Sequence, residues 1–244
     1  MFKRRKGAAQ SDETPAEVEE VVVEEVVVVS DPGTGPFDIS NAPDDDIARI
    51  DLGGLQIPIV DNMQLHLEGH NEETNSFALA IVVLEERQAA LQLMAVAAPR
   101  SGGFWAEVMD ELETEIVNSG GQMVRKEDGR FGPELLGNVP AQDEEGNSGF
   151  QAARFIGAEG PRWFIRGMLM GSAAVDEGMG EFFEDVIAGC IVNRGERPMA
   201  PGDLIPLTPP VGIEPDEAEE DDEEAGRFED LEPFERGPEI TETR

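Results

Sequence analysis

Cysteine, lysine, histidine and long hydrophobic runs are all scarce in this sequence, and each scarcity narrows the function. Cys190 is the sole cysteine, so no internal disulfide can form. It falls in an apolar helical pattern, where a buried and inert thiol is expected. The two histidines, His66 and His70, flank Glu68 and would share one strand face. Neighbours on such a face stand roughly 6–7 Å apart, which spreads donors rather than converging them. No further His or Cys except Cys190 is available to finish such a site, so a solvated strand face is the reading and no metal is expected. Lysine occurs at Lys3, Lys6 and Lys126, leaving arginine to carry nearly all the positive charge. That bias suits a high-GC coding sequence and equally a salt-adapted surface. The longest apolar stretch, Val21 to Val29, is split by Glu24 and Glu25 and falls far short of the roughly 20 residues of a spanning helix. The basic start, Met1 to Lys6, has no apolar stretch behind it, so no signal peptide is expected. The protein is read as soluble and cytoplasmic, without membrane contact.

Acid is what the chain has in excess: 53 acidic against 18 basic residues, a formal net charge of −35. Residues 1–35 carry −4, residues 36–208 carry −19 and residues 209–244 carry −12. Such a surface repels phosphate backbones, so nucleic acid is excluded as a direct partner and a basic protein partner fits better. Ser101, Ser148 and Ser172 have no histidine nearby in sequence, and no Gly-x-Ser-x-Gly elbow occurs. Carboxylate pairs are so abundant that their adjacency carries no information. No cofactor is expected, and an enzyme is the weaker reading.

Organisation follows composition. Residues 1–35 form a low-complexity tail of valine and glutamate blocks, read as disordered. Residues 209–244 form a second disordered tail, with nine carboxylates among the eleven residues Glu214 to Glu224 and a late apolar triplet, Phe228, Leu231 and Phe234. Between them, residues 36–208 have the length of one domain. Strands are expected at Leu55 to Val60 (Pro58 marking an edge), Met63 to Leu67, Phe77 to Leu84 and Gln88 to Ala97, the last two forming a hairpin across Glu85-Glu86-Arg87. A helix capped by Ser101 is expected from Gly103 to Asn118, with Trp105, Val108, Met109, Leu112 and Ile116 on its apolar face. Further strands are expected at Gln122 to Lys126, Glu134 to Pro140, Phe150 to Ile156 and Arg162 to Met170, with a turn at Ala158 to Pro161. A second helix is expected from Val175 to Val192, its stripe running from Val175 through Phe182 and Phe183 to Cys190, with Glu184 outside it. This pattern predicts an α+β fold: a mostly antiparallel sheet with two amphipathic helices packed on one face, flanked by disordered acidic tails.

The segment Arg154-Phe-Ile-Gly-Ala-Glu-Gly-Pro-Arg-Trp-Phe-Ile-Arg166 resembles the signature of an uncharacterised actinobacterial family catalogued as a domain of unknown function. Gly35-Pro-Phe-Asp38, Ala98-Pro-Arg-Ser-Gly-Gly-Phe-Trp105 and Arg194-Gly-Glu-Arg-Pro-Met199 are similar to the same family. The resemblance spans residues 35–208. It implies an actinobacterial cytoplasmic protein with no assigned reaction and supplies no catalytic residues.

Two clusters remain. Arg154, Arg162, Trp163 and Arg166 gather in one expected hairpin, and arginine with tryptophan is the usual make-up of a protein-interaction surface. The competing account puts Trp163 in the core and the arginines against nearby carboxylates. Arg100, Ser101, Gly102 and Gly103 precede a helix N-terminus, where free N–H groups and a guanidinium could hold an anion. Ser101 as an ordinary cap, with two glycines easing the turn, is the plainer account. The sequence therefore points to a non-enzymatic protein-binding or regulatory module, with a small-molecule or nucleotide (anion) binding protein using Arg100 to Gly103 as the alternative.

Overall fold

Period-two alternation recurs along the chain from its first strands. The computed structural model of the protein, which describes residues 35–142 and 147–210, arranges these strands in two sheets. The smaller sheet comprises β1 (Phe37–Asp38), β2 (Arg49–Asp51), β3 (Leu55–Pro58) and β11 (Ile191–Val192), in the order β1-β11-β3-β2. The larger sheet holds seven strands: β4 (Gln64–Glu68), β5 (Leu79–Leu84), β6 (Ala89–Ala97), β7 (Gln122–Gly129), β8 (Gly132–Gln142), β9 (Ser148–Gly160) and β10 (Trp163–Gly171). Their order is β4-β5-β6-β10-β9-β8-β7, and every pairing is antiparallel. The expected α+β class with mostly antiparallel sheet holds. The two expected tails, apart from Gly35, Pro209 and Pro210, lie outside the described residues.

Local chemistry explains most boundaries. The β5–β6 hairpin closes over Glu85–Arg87, with Gln88 taking the left-handed conformation that ends the turn. The β9–β10 hairpin is tighter than expected: β9 runs on to Gly160, and only Pro161 and Arg162 form the turn, Arg162 at a φ of 66°. Pro58 was expected at a sheet edge. It instead ends β3, which lies between β11 and β2, where a missing N–H disrupts little.

Three helices accompany the sheets: α1 (Phe104–Asn118), α2 (Ser172–Val175) and α3 (Glu177–Gly189). The stripe Trp105, Val108, Met109, Leu112 and Ile116 is buried, as its spacing requires. The second expected helix is broken. Asp176 adopts an extended backbone and caps α3 by accepting from the Met179 N–H at 2.9 Å. Cys190 is extended rather than helical, and Ile191 and Val192 enter the small sheet, although the apolar sequence continues without interruption. Val175, expected in the buried stripe, is 73% exposed, and Glu184, expected outside it, is buried.

The expectation that both helices share one sheet face is overturned. On β10, Trp163, Ile165 and Leu169 enter a core with Phe183, Val186 and Ile187 of α3 and with Leu52, Leu55 and Ile57 of the small-sheet region. Phe164 and Met168, the alternate residues, enter a second core with the stripe of α1. The helices therefore lie on opposite faces. A helix's periodicity tells which of its sides is apolar, but says nothing about which side of the sheet receives it.

The helices are also offset along the sheet. α1 lies over β7, β8 and β9, whereas α3 lies over β10 and against β3. Each face is thus covered over one part and open over another.

Candidate functional site

The hairpin of β9 and β10 divides the four residues that the sequence grouped. Arg154 lies on the α3 side, where its Nε donates to Glu134 Oε2 at 2.6 Å and its Nη2 to Glu134 Oε1 at 2.9 Å and to Glu184 of α3. Glu134 is wholly buried and fixes the guanidinium from within the sheet, and the contact to Glu184 ties α3 to it. Gly180 permits it: a Cβ there would lie 2.7 Å from Arg154 Nη1. Trp163 is also on this side and fully buried, its indole N–H donating to Asp38 Oδ2 at 2.8 Å. Arg162 stands exposed in the turn. Arg166 emerges on the opposite face, between Met94 of β6 and Gly157 of β9. The four residues form no common surface, and two of them are spent inside the molecule.

The segments quoted for the family resemblance meet in space, and what they do there is packing. Asp38 of Gly35 to Asp38 holds Trp163, while also accepting from the backbone N–H and hydroxyl of Ser40. Trp105, which ends Ala98 to Trp105, lies flat over Gly157, so any side chain at 157 would collide with the indole ring. Its Nε1 donates to the Pro133 carbonyl at 2.8 Å. Met199 packs against the larger core.

The turn before α1 is already supplied with an anion by the chain itself. Glu159 accepts from the Gly103 N–H at 2.9 Å and from the Trp105 N–H at 2.7 Å. The expected Ser101 cap is therefore corrected: Gly103 is the capping residue, its side chain can offer nothing, and a carboxylate from β9 does the work. Gly102 and Gly103 both take positive φ, which suits the sharp entry. Arg100 is exposed. Of the N–H groups at Arg100 to Gly103 that an external anion would use, that of Gly103 is engaged by Glu159.

His66 and Glu68 are exposed on β4, an edge strand. His70 lies past the strand end, within 3.1 Å of Asn75 Oδ1 and tilted over Phe77. Among the described residues no group of three His, Cys, Asp or Glu side chains could hold a metal. Cys190 Sγ contacts the Val186 carbonyl at 3.3 Å, and burial pushes its thiol up to about 12. A concavity of about 370 Å³ between the β5–β6 turn and α3 is lined by Asp61, Asn62, Glu86, Arg87, Met179 and Phe182 among others. Its polar groups do not converge on a point where a reacting atom could sit.

What the sequence concealed is open sheet. On the α3 side, beyond the footprint of that helix, cross-strand neighbours Val124, Leu136 and Arg154 form one row, and Pro140 with Phe150 another. Val124 is 69% and Phe150 62% exposed. β7 beside them is the edge strand of the sheet among the described residues. No sequence signal separated Phe150 from a core residue, because strand alternation marks two faces without marking which is covered.

No helix among the described residues is long and apolar enough to cross a membrane. Comparisons with curated proteins and with solved structures found no match. A family model does match, over residues 35–216, which extends the resemblance read from the sequence by eight residues at its C-terminal end. The chain belongs to the family described as "Protein of unknown function (DUF3710)".

Proposed function

We propose that this protein is a non-enzymatic binding module of the cytoplasm, and that its open half-sheet on the α3 side docks a basic protein partner. One observation carries the reading: Phe150 and Val124 stand more than half exposed on a rigid sheet, with Leu136 and Pro140 half-buried between them. Large apolar side chains held on a flat scaffold beside a free strand edge are the ingredients of sheet-mediated recognition. The formal charge of −35 favours a basic partner through long-range attraction. A lone, buried thiol that cannot form an internal disulfide suits a reducing compartment. The alternative site at Arg100 to Gly103 is disfavoured by Glu159, which already fills it.

The test is affinity capture from native-host lysate with the full chain, comparing wild type with Val124→Ser plus Phe150→Ser. A specific protein retained by wild type and lost by the double variant supports the assignment. A partner retained equally by both, or lost instead on Arg162→Ala, moves the interface elsewhere.

A further inference from the structure

Among the described residues, no carboxylate lies within ion-pair distance of the Arg166 guanidinium, and its Nε is sealed from solvent with no hydrogen-bond partner. Arg49, Arg125, Arg130 and Arg154 each have such a carboxylate. With 53 acidic residues in the sequence, a shortage of counter-charges is not the reason. Burial pushes the Arg166 guanidinium below its ordinary range, and the charge of Glu115 on α1 only partly offsets this. A guanidinium whose sealed Nε has no acceptor is left short of one hydrogen bond, which an anion beside it would supply.

The surroundings define what kind of anion. Arg166 lies just beyond the footprint of α1, flanked on its own strand by Phe164 and Met168 and across the sheet by Met94 and the bare Gly157. Two residues along β6 from Met94, Gln92 is only 8% exposed. Gln92 is cross-strand neighbour to Met168 and to Ile81 of β5, and Met170 continues the strip. The result is an apolar strip beside α1, with a planar guanidinium fork and an amide at one place in it. Methionine side chains adapt to irregular apolar shapes. A protein carrying −35 also repels acidic macromolecules far more than it repels one monovalent anion.

We propose that Arg166 and Gln92 hold the head group of a small amphipathic carboxylate whose apolar body lies along Met94, Met168 and Met170. The guanidinium takes both carboxylate oxygens side by side, and the Gln92 amide donates to one of them. This site lies on the opposite sheet face from Phe150 and Val124, so it stands or falls independently of the protein-docking reading.

Trp105 reports on it. Its ring covers Gly157, the cross-strand neighbour of Arg166, whereas Trp163, the other of the two tryptophans, is buried on the far face. Sodium decanoate, titrated below its micellar range into the full-length protein at low salt, should change the fluorescence saturably. Decanol at the same concentrations should not. Arg166→Leu keeps the apolar volume and should weaken decanoate binding about tenfold or more, the loss expected for a charged hydrogen-bonded pair. Gln92→Leu should weaken it less. No saturable change with decanoate in wild type, or equal binding of decanol, would overturn the proposal. Equal binding of decanoate by Arg166→Leu would overturn it too. Should Arg166→Leu fail to fold, the decanoate and decanol comparison on wild type still decides.

Discussion

Replacing Arg154 with leucine would leave two carboxylates without their cation in the tightest part of the α3 interface. Glu134 is fully buried and Glu184 nearly so, and Arg154 is the partner of both. Breaking a buried ion pair by removing one partner typically costs about 3–5 kcal/mol, and two carboxylates are orphaned here, so the upper end applies. For a chain segment of this size each kcal/mol moves the melting temperature by roughly 2–4 °C, giving a fall of about 10–20 °C. Thermal unfolding followed by circular dichroism at neutral pH measures it. The loss should be nearly the same at low and high salt, because buried pairs are weakly screened. The triple change Arg154→Leu, Glu134→Leu and Glu184→Leu should recover most of the loss, since no uncompensated charge remains. A loss under about 1 kcal/mol in the single variant, within the range of exposed pairs, would refute the picture of a dry network.

Trp105→Ala should destabilise by about 3–5 kcal/mol in urea unfolding, because the ring fills the space over Gly157; a value near zero would show that the α1 stripe is not core. Glu159→Ala should lower stability by about 1–2 kcal/mol and speed amide exchange in the first turn of α1, since the Gly103 and Trp105 N–H groups lose their acceptor. Asp38 gives a pH signature. Burial acts to raise its carboxyl, but the Ser40 hydroxyl and N–H and the Trp163 indole outweigh this and hold it below its ordinary value. A depressed folded value means the stabilisation is present above the unfolded carboxyl range, near ~3.9, and is lost as pH falls through the folded value. Asp38→Asn should therefore flatten the acid limb of the stability curve below about pH 4, and an unchanged limb would remove Asp38 from the account. Cys190, buried and pushed up to about 12, should resist an aromatic disulfide reagent until the protein is unfolded.

Elements were more legible in the sequence than their assembly. Leu65 and Leu67 alternate with His66 on β4, and the stripe from Trp105 to Ile116 has the helical period, because both patterns are local. The change from helix to strand at Cys190 was hidden, since Val186 to Val192 is apolar throughout and burial in either conformation satisfies it. The site was less legible still. Arg154 and Arg166 differ by an even number of residues, yet they sit on separate strands and on opposite faces, and only the register across Pro161–Arg162 decides that. Glu159, the actual acceptor at the turn before α1, lies 56 residues from Gly103, a contact no spacing rule reaches.

We propose that the open α3-side half-sheet docks a basic protein partner. A photo-crosslinking amino acid placed at Phe150 in the native host, with the likewise exposed Val117 on α1 as control, is the direct test. The account predicts a discrete protein adduct from position 150, absent from position 117 and abolished by Val124→Asp. Adducts from both positions alike, or from position 117 alone, would contradict it.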